Sequence, residues 1–281
     1  MDVKACAKVN FGLRVIGKRP DGFHNIETVF YRINLYDELS VFTDNSISLT
    51  CSTPSLPTNN DNLCWKAIEL LQNELQTNSG AKIHIEKKIP VGAGLGGGSS
   101  DAAAVLKVLP ALWNKKIEQP VLEKLALQLG SDVPFFLQSQ PAYAEGRGEQ
   151  LSPVTLDVPY WIVLVNPEIH VSTPWAYKTL SEKRGGIFPI RPKLGEIFSL
   201  SPLQYITSAD NDFEEVVFEQ FPVIGEIKKR FFKLNAVHAL MSGSGSSVFG
   251  LFNKESDAQN AADIFKKEFF VNITEPNFTS P

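Results

Sequence analysis

The sequence predicts an α+β fold. Strand-like and helix-like stretches are mixed without strict alternation, and a glycine-rich segment joins a strand pattern to a helix pattern. At 281 residues the chain holds one large domain or two medium ones. A boundary near residue 155 divides it into residues 1–155 and 156–281.

The first element alternates. Val9, Phe11, Leu13 and Val15 share one face, and Lys8, Asn10, Gly12 and Arg14 the other, which predicts a strand with one buried face. Pro20-Asp21-Gly22 is a turn, and strands follow over 29–35, 39–42 and 47–50. Asn62 is a helix N-cap, and Leu63, Ala67, Leu70, Leu71 and Leu75 keep a helical period. Ile83 and Ile85 mark a strand. The glycine-rich segment then opens a helix bearing Ala102, Val105, Leu106 and Leu109, which Pro110 ends or kinks. A helix over 121–129 closes at Gly130. The apolar run 161–165 suits a central strand. Thr173-Pro174 reads as an N-cap with proline at the first helical position, and Asn211-Asp212 as a second cap. Residues 222–233 and 254–267 are helical, and 237–241, 248–252 and 269–274 are strands.

Composition narrows the function. The chain is 43% hydrophobic and 21% charged, with a net charge of -4, so no broad basic surface for nucleic acid is expected. A phosphate-rich ligand must then be met by local features: backbone N–H groups or single lysines. The three cysteines lack a C-x-x-C spacing, and no two of the four histidines lie four residues apart. No apolar run approaches the ~18 residues of a membrane helix. The first residues carry no signal-peptide pattern. Both observations point to the cytoplasm, with no membrane partner.

The most informative stretch is Pro90-Val91-Gly92-Ala93-Gly94-Leu95-Gly96-Gly97-Gly98-Ser99-Ser100-Asp101. Glycine permits positive φ and close approach of a ligand. Consecutive N–H groups converge on phosphate oxygens, and the following helix adds its N-terminal dipole. There is no G-K-[ST], so this is not a Walker A loop. Gly92 to Gly97 matches G-x-G-x-x-G, but Glu118 and Glu123, the acidic residues at about the right spacing, are not at a strand end, which argues against a dinucleotide fold.

Phosphoryl transfer needs positioning, charge stabilisation and a group to accept the hydroxyl proton. Asp132, in Gly130-Ser131-Asp132-Val133-Pro134, offers a carboxylate beyond a helix end, and Lys8 a cation. Taken alone, an aspartate after glycine is commonly a cap or turn residue, and a lysine on a strand is commonly solvated.

Several separate motifs lift that ambiguity. They are Ala7-Lys8-Val9-Asn10; Arg19-Pro20-Asp21-Gly22-Phe23-His24; the loop from Gly92 to Ser100; Gly130 to Pro134; Ala144-Glu145-Gly146-Arg147-Gly148-Glu149; Asn211-Asp212; and Met241 to Ser247. Over nearly its whole length the chain resembles the GHMP kinase superfamily. The resemblance implies an N-terminal ribosomal-protein-S5-domain-2-like domain and a C-terminal ferredoxin-like α/β domain, with substrate in the cleft between them. It implies ATP on Pro90 to Ser100, Asp132 as catalytic base and Lys8 as its electrostatic partner. It implies Mg²⁺ bridging the ATP phosphates, with Ser100 a candidate contact.

The acceptor it implies is the 2-hydroxyl of the methylerythritol portion of a cytidine diphosphate substrate, on the non-mevalonate isoprenoid route. Asn10, Phe23, His24, Thr173 and Tyr177 would hold that substrate, Phe23 and Tyr177 stacking on cytosine and His24 bonding its polar edge. Base stacking of this kind contributes roughly 1–3 kcal/mol. The Asn62-Leu63 region would lie at the adenine side, and the 242–247 loop would approach the active site. Many members carry tyrosine at the position of Phe23 and phenylalanine at that of Tyr177. The expected assembly is a monomer or weak homodimer. Other GHMP kinases, acting on homoserine, mevalonate or a sugar, and a non-catalytic nucleotide-binding module remain open on sequence alone.

Overall fold

The computed structural model describes residues 1–280. The chain forms two compact units. One comprises Met1–Ala7, Leu35–Ile89 and Gly96–Ser139, and the other Lys8–Asn34, Pro90–Leu95 and the chain from Gln140 onward. The first long strand, β1 (Asp2–Lys18), pairs with the second, β2 (His24–Asp44), and each contributes residues to both units.

In the first unit β3 (Ile47–Cys51) runs parallel to β4 (Gly80–Glu86). Parallel neighbours need a crossover, and α1 (Leu63–Leu75) supplies it. β4 also pairs antiparallel with the end of β2, from Glu38 opposite Glu86 to Asp44 opposite Gly80. Along β2 the residues Ile33, Leu35, Leu39 and Val41 are buried in period two. Asp37 occupies the same buried register. Three helices follow: α2 (Gly97–Leu112), α3 (Gln119–Leu129) and α4 (Val133–Leu137). Buried Ala102, Ala103 and Ala104 give α2 a narrow profile, and it packs on α1, α3 and α4.

In the second unit β5 (Ala142–Glu145) pairs antiparallel with β2 at Thr28–Phe30, and β6 (Gln150–Pro153) with β5. A separate antiparallel sheet contains β7 (Trp161–Asn166), β8 (His238–Met241), β9 (Val248–Phe252) and β10 (Phe270–Thr274), in the order β10-β7-β9-β8. Its helices are α5 (Thr173–Lys183), α6 (Leu194–Leu200), α7 (Pro202–Ile206), α8 (Glu214–Gln220), α9 (Pro222–Lys233) and α10 (Glu255–Phe265). Strand, helices, hairpin, helix, strand in chain order, with that spatial order of strands, is the ferredoxin-like arrangement. Phe231 of α9 lies at the centre of its core, 4.8 Å from Phe265 and 6.1 Å from Phe252 between ring centroids.

Several elements differ from the sequence expectation. The polar face of β1 is not solvated: Lys8 is 3% and Asn10 1% exposed. Residues 29–35 and 39–42 belong to one strand, because Asp37 is accommodated inside rather than ending it. Pro110 does not stop α2, which runs two residues further with Trp113 N–H still bonded to the Leu109 carbonyl. Ser172, not Thr173, caps α5, accepting from Trp175 N–H. The α8 N-cap falls on Phe213, yet Asn211 serves that helix end, its Oδ1 accepting from Phe213 N–H at 3.0 Å, while the Asp212 carboxylate is engaged elsewhere. Among the described residues no helix is long and apolar enough to cross a membrane.

Gly250 of β9 faces the Phe231 ring, where a Cβ would collide. Gly250→Ala is expected to destabilise the chain by about 1–3 kcal/mol through overpacking. Denaturant unfolding measures this, and an unchanged midpoint contradicts it.

Candidate active site

In the second unit, Lys8 and Asn10 leave β1 two residues apart and so on one face. The Lys8 ammonium donates to Asn10 Oδ1 at 2.7 Å and to the Gly94 carbonyl at 3.2 Å, and lies 5.1 Å from the Phe30 ring centroid. Asn10 Nδ2 donates to Thr28 Oγ1, which donates in turn to the Gly12 carbonyl. A buried charge is tolerated only where such partners replace water.

The glycine loop owes its shape to residues 92–96. Gly92, Gly94 and Gly96 have φ of 64°, 76° and 69°, so every second residue is left-handed. Side chains rarely adopt this conformation, and alternating it gathers backbone N–H groups into an anion-binding concavity. Space also excludes a side chain at Gly94, where a Cβ would run into the Ser242 carbonyl. The loop ends at α2, whose first helical bond is Ser100 N–H to the Gly96 carbonyl. The preceding N–H groups therefore have no intrahelical partner. Ser100 is buried. At Gly98 a Cβ would sit 3.8 Å from the Leu63 side chain, which puts the start of α1 beside the start of α2.

The second Gly/Ser loop, between β8 and β9, braces the first. Ser242 Oγ donates to the Gly94 carbonyl at 2.9 Å and accepts from Asn10 N–H at 3.2 Å, and Ser247 N–H donates to the Ala93 carbonyl. Asn211 Nδ2 donates to the carbonyls of Met241 and Gly243. Asp212 accepts from Val15 N–H, Arg184 and Arg191. Burial pushes the Asp212 carboxyl up, but these donors outweigh it and hold it below the ordinary value.

In the first unit, Asp132 stands at the N-terminus of α4, whose five residues are all buried. That apolar anchor fixes the position of Asp132, which is itself partly buried. Near the loop's flanks, the Lys87 ammonium pairs with Asp37 and, at 2.9 Å, with Asp101. Burial opposes its charge, yet the two carboxylates hold the Lys87 pKa above the usual lysine value. Burial drives Asp101 upward, against Lys87.

The aromatic candidates lie in the second unit. His24 stacks on Tyr177 with ring centroids 4.8 Å apart and 15° between planes, and Phe188 meets His24 edge-on. His24 Nε2 and Ser181 Oγ are 2.8 Å apart. Phe23 is 53% exposed and carries the Arg147 guanidinium 4.8 Å from its ring centroid. Thus His24 and Tyr177 come together directly, whereas Phe23 presents its ring separately. Thr173 Oγ1 lies 2.8 Å from Ser244 Oγ, on the second Gly/Ser loop. Burial, with Lys18 adding to it, holds His24 below the ordinary imidazole value, and burial with Lys228 does the same for His238.

Sequence reasoning missed Asp37, Lys87, Ser181 and Thr28. Asp37 left a signal, a carboxylate in the register of Ile33, Leu35, Leu39 and Val41. The others did not, because their partners are distant in sequence. For a metal, no group of three or more His, Cys, Asp or Glu side chains is gathered among the described residues. Mg²⁺ does not need one, since it is commonly held through substrate phosphates and water.

Within the second unit, two glycine loops braced on one another beside a buried strand lysine fit a phosphoryl-transfer class of site. The chain belongs to the GHMP kinase family: the model for the GHMP kinases N terminal domain matches residues 62–140, and that for the GHMP kinases C terminal matches 194–272. Along its length the chain is 43% identical to a 4-diphosphocytidyl-2-C-methyl-D-erythritol kinase from Chlorobium phaeobacteroides (strain BS1), covering 99% of this chain and 98% of that protein. It is 40% identical to one from Pelodictyon phaeoclathratiforme, covering 98% and 97%. Among solved structures, a 4-(cytidine 5'-diphospho)-2C-methyl-D-erythritol kinase aligns with TM-score 0.83 at 35% identity, covering 99% of this chain and 100% of that one. A homoserine kinase from Cytophaga hutchinsonii, 21% identical with TM-score 0.74 over 99% of this chain and 95% of that one, shares the fold.

Two outcomes follow. Gly94→Ala combines a left-handed φ with a collision, so it is expected to lose about 1–3 kcal/mol and, on calorimetric titration, binding of an ATP analogue; unaltered binding contradicts the loop geometry. Both depressed histidines favour the neutral form in the folded state. Their contribution is present above the unfolded imidazole value and is lost as pH falls through their folded values. The melting temperature should therefore fall between about pH 7 and about pH 5. His24→Gln should remove part of that slope, and an identical slope contradicts the assignment.

Proposed function

We propose that the chain transfers the γ-phosphoryl group of ATP to the 2-hydroxyl of 4-diphosphocytidyl-2-C-methyl-D-erythritol. The observation that carries this reading is the glycine loop with alternate left-handed residues, in a chain about two-fifths identical from end to end to enzymes of that name. A chain of net charge -4 must hold a triphosphate without a basic surface, and main-chain donors do so.

In this reading the loop Pro90 to Ser100 receives the phosphates, and the Asn62-Leu63 region takes the adenine side. Mg²⁺ neutralises phosphate charge when bound, with Ser100 the proposed protein contact. Asp132 accepts the hydroxyl proton as that oxygen attacks the γ-phosphorus and ADP departs. Lys8 is its electrostatic partner, and Asn10 and Thr173 orient the substrate. Phe23 and Tyr177 are the proposed stacking surfaces for cytosine. His24, neutral at physiological pH by virtue of its depressed pKa, reads the polar edge of the base with an uncharged ring. A cytoplasmic setting, and a monomer or weak homodimer, go with this proposal, as does a partition near residue 155.

A kinase assay with the cytidine diphosphate methylerythritol substrate tests it. Asp132→Asn at saturating ATP is expected to lower turnover by about 10²–10⁴-fold. Lys8→Ala should lower turnover more than ATP affinity. Cytidine nucleotides should compete with the alcohol substrate and not with ATP. Transfer to homoserine or mevalonate in preference, or near-normal turnover by Asp132→Asn, overturns the reading.

A further inference from the structure

The ion triad Asp37–Lys87–Asp101 lies outside every role assigned above. Its three side chains are 0–5% exposed. Asp37 belongs to β2, Lys87 follows β4, and Asp101 lies on α2, just past its first turn. Asp37 spends its second oxygen on the backbone, accepting from Lys88 N–H at 2.7 Å and Ile89 N–H at 2.9 Å. The segment 87–89 leads directly into Pro90 and the glycine loop, and Asp101 stands just after it. Lys87 therefore bridges the residues entering the loop and the helix leaving it. It also lies close under the loop's landing point: a Cβ on Gly97 would be 3.3 Å from Lys87 Nζ and 3.0 Å from the Ile89 side chain.

The physical need for such a clasp is specific. Glycines at 92, 94, 96, 97 and 98 make the backbone adaptable, and glycine loses more conformational freedom on ordering than any other residue. Main-chain donors bind an anion well only if they are already aimed, because ordering them on binding subtracts from affinity. An ionic bridge fixing both ends supplies that order beforehand. A triad kept only for stability is a weak alternative, since burying charges yields little net stability even with good pairing. Asp101 makes the point: one of its oxygens, Oδ1, is buried with no hydrogen-bond partner.

We propose that the Asp37–Lys87–Asp101 clasp is a positioning device for nucleotide binding, holding the flanks of the glycine loop so that its N–H groups stand ready for phosphate. These residues touch neither phosphate nor acceptor. The inference rests on the loop being the ATP site and not on the identity of the alcohol.

The experiment is calorimetric titration of the full chain with a non-hydrolysable ATP analogue and Mg²⁺, alongside steady-state kinetics. Asp101→Ala removes one arm and leaves the Lys87–Asp37 pair neutral. The analogue is expected to bind about tenfold more weakly, with a matching rise in KM for ATP and no more than about a twofold change in KM for the alcohol. Asp101→Asn keeps an oxygen for Lys87 and is expected to restore most of the affinity. Where Asp101→Ala does not fold, Lys87→Arg, which keeps the charge on a longer planar head, should weaken the analogue selectively. A melting temperature that drops while analogue affinity is unchanged overturns the proposal, as does an equal rise in both KM values. Failure of the chain to use the methylerythritol substrate would sink the substrate assignment yet leave the titration readable. Failure of wild-type chain to bind the analogue would sink the nucleotide site and this inference with it.

Discussion

The Gly94 carbonyl accepts from Lys8 Nζ and from Ser242 Oγ, in a space with no room for a Cβ. Much of the second unit's candidate site depends on this junction. A chain with no broad basic surface meets phosphate through local features, and where main-chain donors do so, side chains must be absent where the ligand approaches. Removing them leaves a backbone with little preference of its own. The order therefore has to come from outside the loop. In the second unit it comes from the 242–247 loop, itself held by Asn211 through the carbonyls of Met241 and Gly243. In the first unit the ion triad tethers the flanks.

The same economy explains where charge is buried. Lys8, Asp37, Lys87 and Asp101 are all nearly inaccessible, and each has hydrogen-bonded or ionic partners. Isolated, any of them would be strongly unfavourable in an apolar interior. Their positions follow from ordinary secondary structure. Two come from inward-facing positions of long strands, one from the segment just after a strand, and one from near the start of a helix. Each is directed by an element whose other residues fill the core.

The aromatic group in the second unit combines an oriented imidazole with ring packing. Tyr177 has Phe213 edge-on at 4.7 Å and His24 stacked on it, so the imidazole is oriented by a ring and by Ser181 rather than left to rotate. Phe23, by contrast, is largely exposed on a turn fastened by Asp21, which accepts from Phe23 N–H and from Arg19. The rigid member and the accessible member are adjacent in sequence because the turn ends where β2 begins.

The sequence by itself determined the parts whose physics is local. Asn62 as a cap, α1 and α9 from end to end, the central strand over 161–165 and the glycine loop leading into α2 were all legible, since capping, periodicity and glycine's freedom act within a few residues. The candidate residues Lys8, Asn10 and His24 were visible too, through motif resemblance. Tertiary structure alone decided that the polar face of β1 is buried, that Asp37 continues β2 instead of ending it, that Asn211 donates to the distant Met241 and Gly243 carbonyls, and that Asp212 serves an amide and arginines instead of a helix end. Those outcomes depend on partners dozens to hundreds of residues away. A polar side chain reads as solvated, capping or buried only once the chain has folded and shown which of those partners arrives.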